Sequence, residues 1–225
     1  MVGVGSVVLV TPAVPLQEIN VIDAARNVGV GHVTKITSDT APDSPISRRR
    51  DHHRIEAALA ASGLPHTLLR SNAYMQNLLA LAPEIAATSA FSSSTADGRV
   101  GMVDARDVAA AAAVIAATPE DHEGETYRLS GPASLTYDDV GSELTRILHR
   151  TIRHVRISAA EKEVAMVQLG LPVTVAHANA LALALFAQGD SDWIADDLPR
   201  IIGRPATSFA EFATDHLACF RSNTA

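Results

Sequence analysis

The first 70 residues alternate between short segments typical of strands and amphipathic segments typical of helices, and this alternation most constrains the fold. Residues 7–10 (VVLV) are a short apolar run typical of a buried strand, and 32–37 (HVTKIT) and 66–70 (HTLLR) are predicted to be the next two short strands. The segments 16–28 and 55–64 have the apolar spacing of helices. Strands that alternate with helices at this spacing form βαβ units. The sequence therefore predicts an α/β fold built on an open parallel sheet.

Apolar spacing also predicts which faces of the first two helices are buried. The predicted buried positions are Leu16, Ile19, Ile22 and Ala25 in the first helix and Ile55, Leu59 and Leu64 in the second. Gly63 is predicted to end the second helix, because glycine readily adopts the left-handed conformation of the C′ position.

The pattern changes after residue 80, where helical segments become more frequent. The predicted elements are a short strand and a helix within 100–117, a strand at 126–132, a helix at 136–149, a strand at 152–157, a helix opened by the capping box Ser158–Glu161, an apolar helix at 172–188 and a last helix from Ser208. We predict a sheet domain over residues 1–150. Residues 151–225 should form a small, mainly helical lobe that lends a strand to the sheet.

Composition limits the class of protein and of partner. Apolar residues make up 47% of the chain and aromatic residues only 4%, which suits a core of aliphatic side chains packed on a parallel sheet. The net charge of −7 and the dispersed basic residues argue against nucleic acid as a partner. No apolar run reaches the length of a membrane span, and the lone Cys219 fits a reducing compartment. We therefore expect a cytoplasmic protein without a membrane partner.

The usual dinucleotide-binding loop is absent from these residues. Such a loop follows the first strand and opens a helix, whose amides hold the pyrophosphate. The glycine pairs Gly3–Gly5 and Gly29–Gly31 precede strands, and no GxGxxG or GxxGxxG occurs. The histidines lack carboxylate or thiol partners at ligand spacing, so no metal site is predicted.

A polar loop directly after residues 66–70 is the candidate site. Ser71, Asn72 and Tyr74 follow this strand at its carboxyl end. Ligands of open parallel sheets bind in the crevice beyond the carboxyl ends of the strands. The loop is thus either a binding edge or an ordinary connection between a strand and a helix.

Several segments together resemble a known family. They are LVTPA near the start, GVGHVTKIT, HHRIEAALAASGLPHTLLRSNAYMQNLL, GMVDARDVAAAA, YRLSGPASLTYDDV and GRPATSFAEFATDH, in this order. They resemble the NmrA-like family of atypical short-chain dehydrogenases/reductases along essentially the whole chain. The resemblance implies a Rossmann-like fold with NADP or NAD across the strand ends. Residues 1–150 would be the NAD(P)-binding domain and 151–225 the substrate lobe.

The resemblance also implies roles for individual residues. The implied cofactor-binding residues are Thr11 and Pro12 near the adenosine and ribose, Lys35 in the family's fifth strand, and Ser71, Asn72 and Tyr74 in the loop that faces the nicotinamide. His52 occupies the place of the superfamily's catalytic lysine, and Arg48 that of its tyrosine. Ser71 stands where the family has a proline.

Met1 aligns just ahead of the family's fourth strand, so the first three strands and the glycine-rich loop have no counterpart in this sequence. We expect a truncated sheet in which the strand at 7–10 is an exposed apolar edge, suited to dimerisation or to another partner. Without the pyrophosphate contacts, of roughly 1.5–3 kcal/mol each, affinity for the dinucleotide should fall by orders of magnitude.

Three functions are compatible with these features. The first is an NAD(P)H-dependent oxidoreductase that transfers a hydride to a small molecule such as a quinone, with His52 as a possible proton source. The second is a non-catalytic regulator that binds nucleotide or protein. The third is a truncated remnant without a function of its own.

Overall fold

The computed structural model describes residues 3–221, which form an α/β protein. The strands in this part of the chain are β1 (Ser6–Leu9), β2 (His32–Ser38), β3 (His66–Ser71), β4 (Ala90–Ser93), β5 (Thr126–Leu129) and β6 (Arg153–Arg156). The α-helices are α1 (Pro15–Asn27), α2 (Ser47–Ala61), α3 (Ala82–Thr88), α4 (Ala105–Ala117), α5 (Tyr137–Leu148), α6 (Ala159–Gln168), α7 (Val173–Phe186), α8 (Asp197–Ile202), α9 (Phe209–Asp215) and α10 (Leu217–Phe220). Short 3-10 helices span Met75–Leu81 and Pro119–Asp121. No helix within 3–221 is long and apolar enough to cross a membrane.

The main sheet is parallel, as the alternation of strands and helices predicts. Its strand order is β1-β2-β3-β5, with β1 at one edge. In this register Ser38 of β2 lies beside Ser71 of β3, and Ser71 lies beside Leu129 of β5. The carboxyl ends of these three strands therefore meet at one edge of the sheet.

The described residues divide into two compact units. The first contains residues up to Asn72, Arg106–Leu129 and Ala195–Pro205, and the second contains Ala73–Ala105, Ser130–Ile194 and the residues from Ala206. The chain passes between the units several times, so they do not follow a single boundary at residue 150. A functional division at that residue stays a prediction.

Helices α1 and α2 close one face of the main sheet in the first unit. Ile55 and Leu59 are fully buried and Leu64 nearly so, and Gly63 has φ +74°, which confirms the prediction for α2. The prediction for α1 is wrong at Leu16, which is 72% exposed. The buried face of α1 instead carries Glu18, a charged residue that apolar spacing cannot identify.

The second unit has a small sheet of its own. Strands β4 and β6 pair in parallel, so the prediction that the 152–157 strand joins the main sheet is wrong. The predicted strand near residue 100 is also absent, because Val100 and Val103 form only isolated bridges. These two residues are fully buried, which explains their apolar character without a strand.

The helix starts in the second unit follow their sequence signals. Ser158 accepts a hydrogen bond from the amide of Glu161, whose carboxylate accepts one from the Ser158 amide, so the predicted capping box is confirmed. The last predicted helix begins after Ser208 as expected but is divided into α9 and α10.

Candidate functional site

The polar loop after β3 lies at the carboxyl edge of the main sheet. Ser71 Oγ donates to the Thr37 carbonyl oxygen at 3.0 Å, and the Asn72 amide donates to the Leu129 carbonyl at 2.9 Å. Both residues are buried. Thr37 Oγ1 and Ser38 Oγ, at the carboxyl end of β2, are also buried. Within residues 3–221 neither oxygen has a hydrogen-bond partner. The edge thus holds hydroxyl groups that a polar ligand could satisfy.

A second polar group links the end of β1 to the middle of β2. Thr11 Oγ1 donates a hydrogen bond to Glu18 Oε1, and Glu18 Oε2 lies 2.6 Å from Lys35 Nζ. The Glu18 and Lys35 side chains are fully buried. Burial lowers the pKa of Lys35, although the Glu18 carboxylate acts in the opposite direction. The Glu18 carboxylate thus holds Lys35 beneath α1. Of the two residues predicted to lie near the adenosine and ribose, Thr11 is half-buried and Pro12 is exposed.

A third polar group joins α2 to the carboxyl end of β3. Arg70 contacts Glu56 through two nitrogens, at 3.3 and 2.6 Å. Thr40 Oγ1 donates to the same carboxylate at 3.2 Å. The Glu56 hydrogen bonds raise the pKa of Arg70. This paired geometry fixes the end of β3 next to α2.

His52 is buried one helical turn before Glu56 in α2. It is 7% exposed, and within residues 3–221 its Nδ1 atom has no hydrogen-bond partner. Burial, together with the positive charges of Lys35 and Arg48, lowers its pKa to about 4. At neutral pH His52 is therefore an uncharged imidazole, which can donate or accept a hydrogen bond but does not store an acidic proton.

Tyr74 belongs to the second unit, where the rest of the loop is held by backbone and amide contacts. Tyr74 forms a parallel bridge with Val103. Gln76 Nε2 donates to Asp104 Oδ1 at 2.8 Å, and Gln76 Oε1 accepts from the Ala105 amide at 3.0 Å. Gln76 therefore fixes this loop to the start of α4.

An open cavity of about 590 Å³ lies in the second unit. Apolar Met75, Leu135 and Phe209 line it together with Arg99 and Arg146. Both arginines are paired, Arg99 with Asp139 and Arg146 with Glu143. The cavity therefore offers mainly apolar contacts. No cluster of three or more metal-binding side chains occurs in the described part of the chain.

Sequence reasoning missed several members of these polar groups. Glu18 was detectable, because it is spaced by four and seven residues from Ile22 and Ala25, which form the buried face of α1. A carboxylate on a buried helical face needs a buried cation. Glu56 and Arg70 gave no comparable signal, since their pairing depends on the position of α2 over β3.

No family model matches this sequence, but several curated proteins do. The chain is 36% identical over 225 residues to an NAD(P)H azoreductase from Xenophilus azovorans, covering 97% of this chain and 77% of that protein. It is 32% identical to quinone oxidoreductase 2 from Escherichia coli, covering 89% of this chain and 70% of that protein. The chain belongs to the NmrA-like family of atypical short-chain dehydrogenases/reductases.

Solved structures support this membership of the NmrA-like family. A NADPH-dependent quinone oxidoreductase from Escherichia coli, determined with NADPH, superimposes with a TM-score of 0.88 at 30% identity, covering 96% of this chain and 77% of that one. A triphenylmethane reductase from Citrobacter, complexed with NADP(H), gives 0.82 at 26% identity, covering 96% and 77%. The structure thus confirms the predicted Rossmann-like class.

Proposed function

We propose that this NmrA-like protein is an oxidoreductase that uses NADPH or NADH to reduce a quinone or a similar conjugated acceptor. The observation that carries the proposal is the similarity along nearly the whole chain to reductases that use these dinucleotides. The reductase activities of these relatives favour an enzyme over a non-catalytic regulator or an inactive remnant. When bound, the reduced nicotinamide supplies the hydride.

The carboxyl edge of the main sheet fits the sugar and nicotinamide half of such a cofactor. Thr37 Oγ1, Ser38 Oγ and His52 Nδ1 are buried polar atoms without partners among residues 3–221, and ribose hydroxyls or an amide would satisfy them. Ser71 and Asn72 lie at the same edge, and we keep them, with Thr11, Pro12 and Tyr74, as proposed contact residues. Lys35 would act from beneath the site, because Glu18 holds its ammonium group.

Residues 1–225 contain no glycine-rich loop for the pyrophosphate. We therefore expect these residues alone to bind NADPH more weakly than a micromolar dissociation constant, since several charge-assisted hydrogen bonds of roughly 1.5–3 kcal/mol each are missing. Fluorescence titration measures this affinity, and a micromolar constant would contradict the expectation.

His52 would act as a hydrogen-bonding group rather than as an acid. Its pKa of about 4 leaves it uncharged at neutral pH. A neutral imidazole can orient a ribose hydroxyl or an acceptor carbonyl through Nδ1. This changes the role expected from sequence alone, which was to protonate the reduced quinone.

NADPH oxidation by the purified chain tests the proposed function. With millimolar NADPH, we expect oxidation that depends on an added quinone. His52→Ala should slow it by about 10²-fold, because the loss of one positioned hydrogen-bonding group at a reacting centre costs about this much in rate. NADPH oxidation that does not depend on the quinone, or that is no faster than in buffer without protein, would contradict the proposal.

We also propose that β1 is the contact between two copies of this chain. Its sequence SVVL contains no charge and no proline, the usual protections of an edge strand. Val8 is 41% and Val10 63% exposed. A second copy of this chain presents the same uncharged strand and is present at the same concentration, so it is the partner proposed for this edge. A cytoplasmic location is part of the proposal, because Cys219 is an exposed free thiol.

A further inference from the structure

Two cations in and behind the carboxyl edge of the main sheet are neutralised by carboxylates. Lys35 Nζ lies 2.6 Å from Glu18, and Arg70 Nη2 lies 2.6 Å from Glu56. Burial and neighbouring positive charges lower the pKa of His52 to about 4, so this side chain carries no charge at neutral pH. Together these groups leave no net charge at the edge.

Arg48 adds a positive charge on the same side of α2 as His52. It lies one turn before His52 in this helix, and residues four apart share a helical face. The charge of Arg48 is close enough to the imidazole to help lower its pKa. Arg48 is exposed whereas His52 is buried, so Arg48 lies at the solvent side of the same edge.

The Arg48 guanidinium is not engaged by the protein. Within residues 3–221 it forms no ion pair and no hydrogen bond. Two other arginines of α2 differ in this respect. Arg50 donates to the Ser44 carbonyl oxygen at 2.5 Å, and Arg54 pairs with Asp51 at 3.7 Å.

The surroundings of Arg48 favour an anionic partner. Although this side chain is open to solvent, the protein around it desolvates it in part and lowers its pKa, and the Arg49 charge acts in the same direction. A guanidinium stays charged at neutral pH in spite of such a shift. A partly desolvated cation without a counter-ion is stabilised by an anion that reaches it.

We propose that Arg48 makes this edge selective for acceptors that carry an anionic group, such as a carboxylate or a sulfonate. Guanidinium binds a pair of anionic oxygens through two parallel hydrogen bonds, which fixes direction as well as position. Arg48 is thus a specificity-determining residue that holds the anionic group, with the conjugated ring on the side of His52. This inference rests on the proposed function, because it names the acceptor class of that same site.

Acceptors that differ in charge test this selectivity. We compare 1,4-naphthoquinone-2-sulfonate, which is anionic, with the neutral 2-methyl-1,4-naphthoquinone at millimolar NADPH. Arg48→Gln should lower the ratio of their kcat/KM values, anionic over neutral, about tenfold or more, because one charge-assisted hydrogen bond is worth about this much in affinity. Dividing the variant's ratio by that of wild type cancels the different reactivities of the two quinones.

A cationic acceptor gives a change of opposite sign. Malachite green carries a positive charge that Arg48 repels, so Arg48→Gln should increase its kcat/KM, whereas damage to the fold would lower the value for every acceptor. Equal slowing of the anionic and neutral quinones, as expected if Arg48 holds a phosphate of the cofactor instead, would overturn the proposal.

Arg54→Gln is the matched control. It removes the same charge from the same helix, but Arg54 is 73% exposed and pairs with Asp51. The ratio of the two quinones should stay within about twofold of wild type, since exposed charges contribute little. A decrease in this ratio as large as in Arg48→Gln would show that net charge, and not the Arg48 contact, selects the acceptor.

Equilibrium binding separates this inference from the proposed function. Naphthalene-2-sulfonate and the neutral naphthalene-2-sulfonamide are titrated into the purified chain by calorimetry. Wild type and Arg54→Gln should bind the sulfonate at least about tenfold more tightly than the sulfonamide, and Arg48→Gln should lose this preference. If wild-type protein reduces none of the acceptors, the proposed function fails and this titration decides alone. A wild type without the preference, or a preference that survives in Arg48→Gln, would overturn the role of Arg48.

Discussion

At the scale of single residues, burial lowers the pKa of two basic side chains in the first unit, His52 and Lys35. His52 and Lys35 are both buried cations in principle, but only Lys35 has a carboxylate in contact. Desolvation therefore leaves His52 neutral, with a pKa of about 4, while Glu18 supports the charge on Lys35. The family resemblance could propose His52 as a site residue. It could not give the charge state, which depends on depth and neighbours.

The pKa of His52 predicts how stability changes with pH. In the unfolded chain His52 binds a proton near its usual value of 6.5, whereas in the folded protein it does so only near pH 4. The unfolded state binds more protons between these values, so the free energy of unfolding should fall by up to about 3 kcal/mol as the pH drops from about 6.5 to about 4. Urea unfolding at several pH values measures this slope. His52→Gln should flatten it, and an unchanged slope in that variant would contradict the account.

At the buried Glu18–Lys35 pair, we expect a single substitution to lower the free energy of unfolding more than a double substitution does. Glu18→Gln leaves the Lys35 charge without a partner and should lower the free energy of unfolding by about 3–5 kcal/mol. Glu18→Leu combined with Lys35→Met replaces the pair by apolar side chains and should be within about 1–2 kcal/mol of wild type. Chemical denaturation measures both. As a control, Arg26→Ala breaks an exposed pair with Asp23 and should change stability by less than about 1 kcal/mol. A double variant as unstable as Glu18→Gln would contradict this explanation.

At the scale of secondary-structure elements, the strands and helices of the first 70 residues could be predicted from local sequence signals, although these signals did not identify Glu18 on the buried face of α1. Strands β2 and β3 are short segments with β-branched and aliphatic residues between two helical segments, and α2 has both its apolar face and its glycine end. Strand β4 has no such signal, since its sequence AFSS contains a single large apolar residue. The apolar residues Val100 and Val103 resemble a strand but serve the core as isolated bridges. Whether each segment forms a strand depends on the segment it pairs with in space, and sequence spacing does not encode that pairing.

The capping box of α6 should contribute measurably to stability. Ser158→Ala removes the side chain that accepts from the Glu161 amide and should cost about 1 kcal/mol of unfolding free energy. Gln168→Ala, at the exposed other end of α6, is the matched control and should change stability by less than about 0.5 kcal/mol. Thermal or urea unfolding measures the difference. Equal effects of the two substitutions would show that the box is unimportant.

At the scale of the whole molecule, the position of β1 at the edge of the sheet is the main consequence of the strand order. The sequence predicted this exposed edge from its match to an internal strand of the family, and the described strands confirm it. The same match predicted the loop around Ser71 and Asn72, which lies at the carboxyl edge of the sheet. The polar network behind the loop could not be predicted, because Glu18, Lys35 and Thr11 come together only through the packing of α1 on β2.

Self-association through β1 should depend on the apolar character of this edge. Val8→Lys places a charge on the strand and should shift the protein from dimer to monomer, because buried unpaired charges oppose edge pairing. Val28→Lys changes a valine of equal exposure, 40% against 41%, at the end of α1 and should leave the dimer intact. Sedimentation velocity measures the distribution. A wild-type protein that is monomeric at all concentrations would contradict the proposed contact.

The measurement that tests the central claim most directly is the primary isotope effect on quinone reduction. NADPH and NADPH deuterated at the transferable position of the nicotinamide are compared at millimolar concentration with the same quinone and the purified chain. A hydride transfer at the carboxyl edge predicts oxidation that requires both protein and quinone and that is slower with the deuterated cofactor. Oxidation at the rate of the protein-free mixture with either cofactor would contradict it.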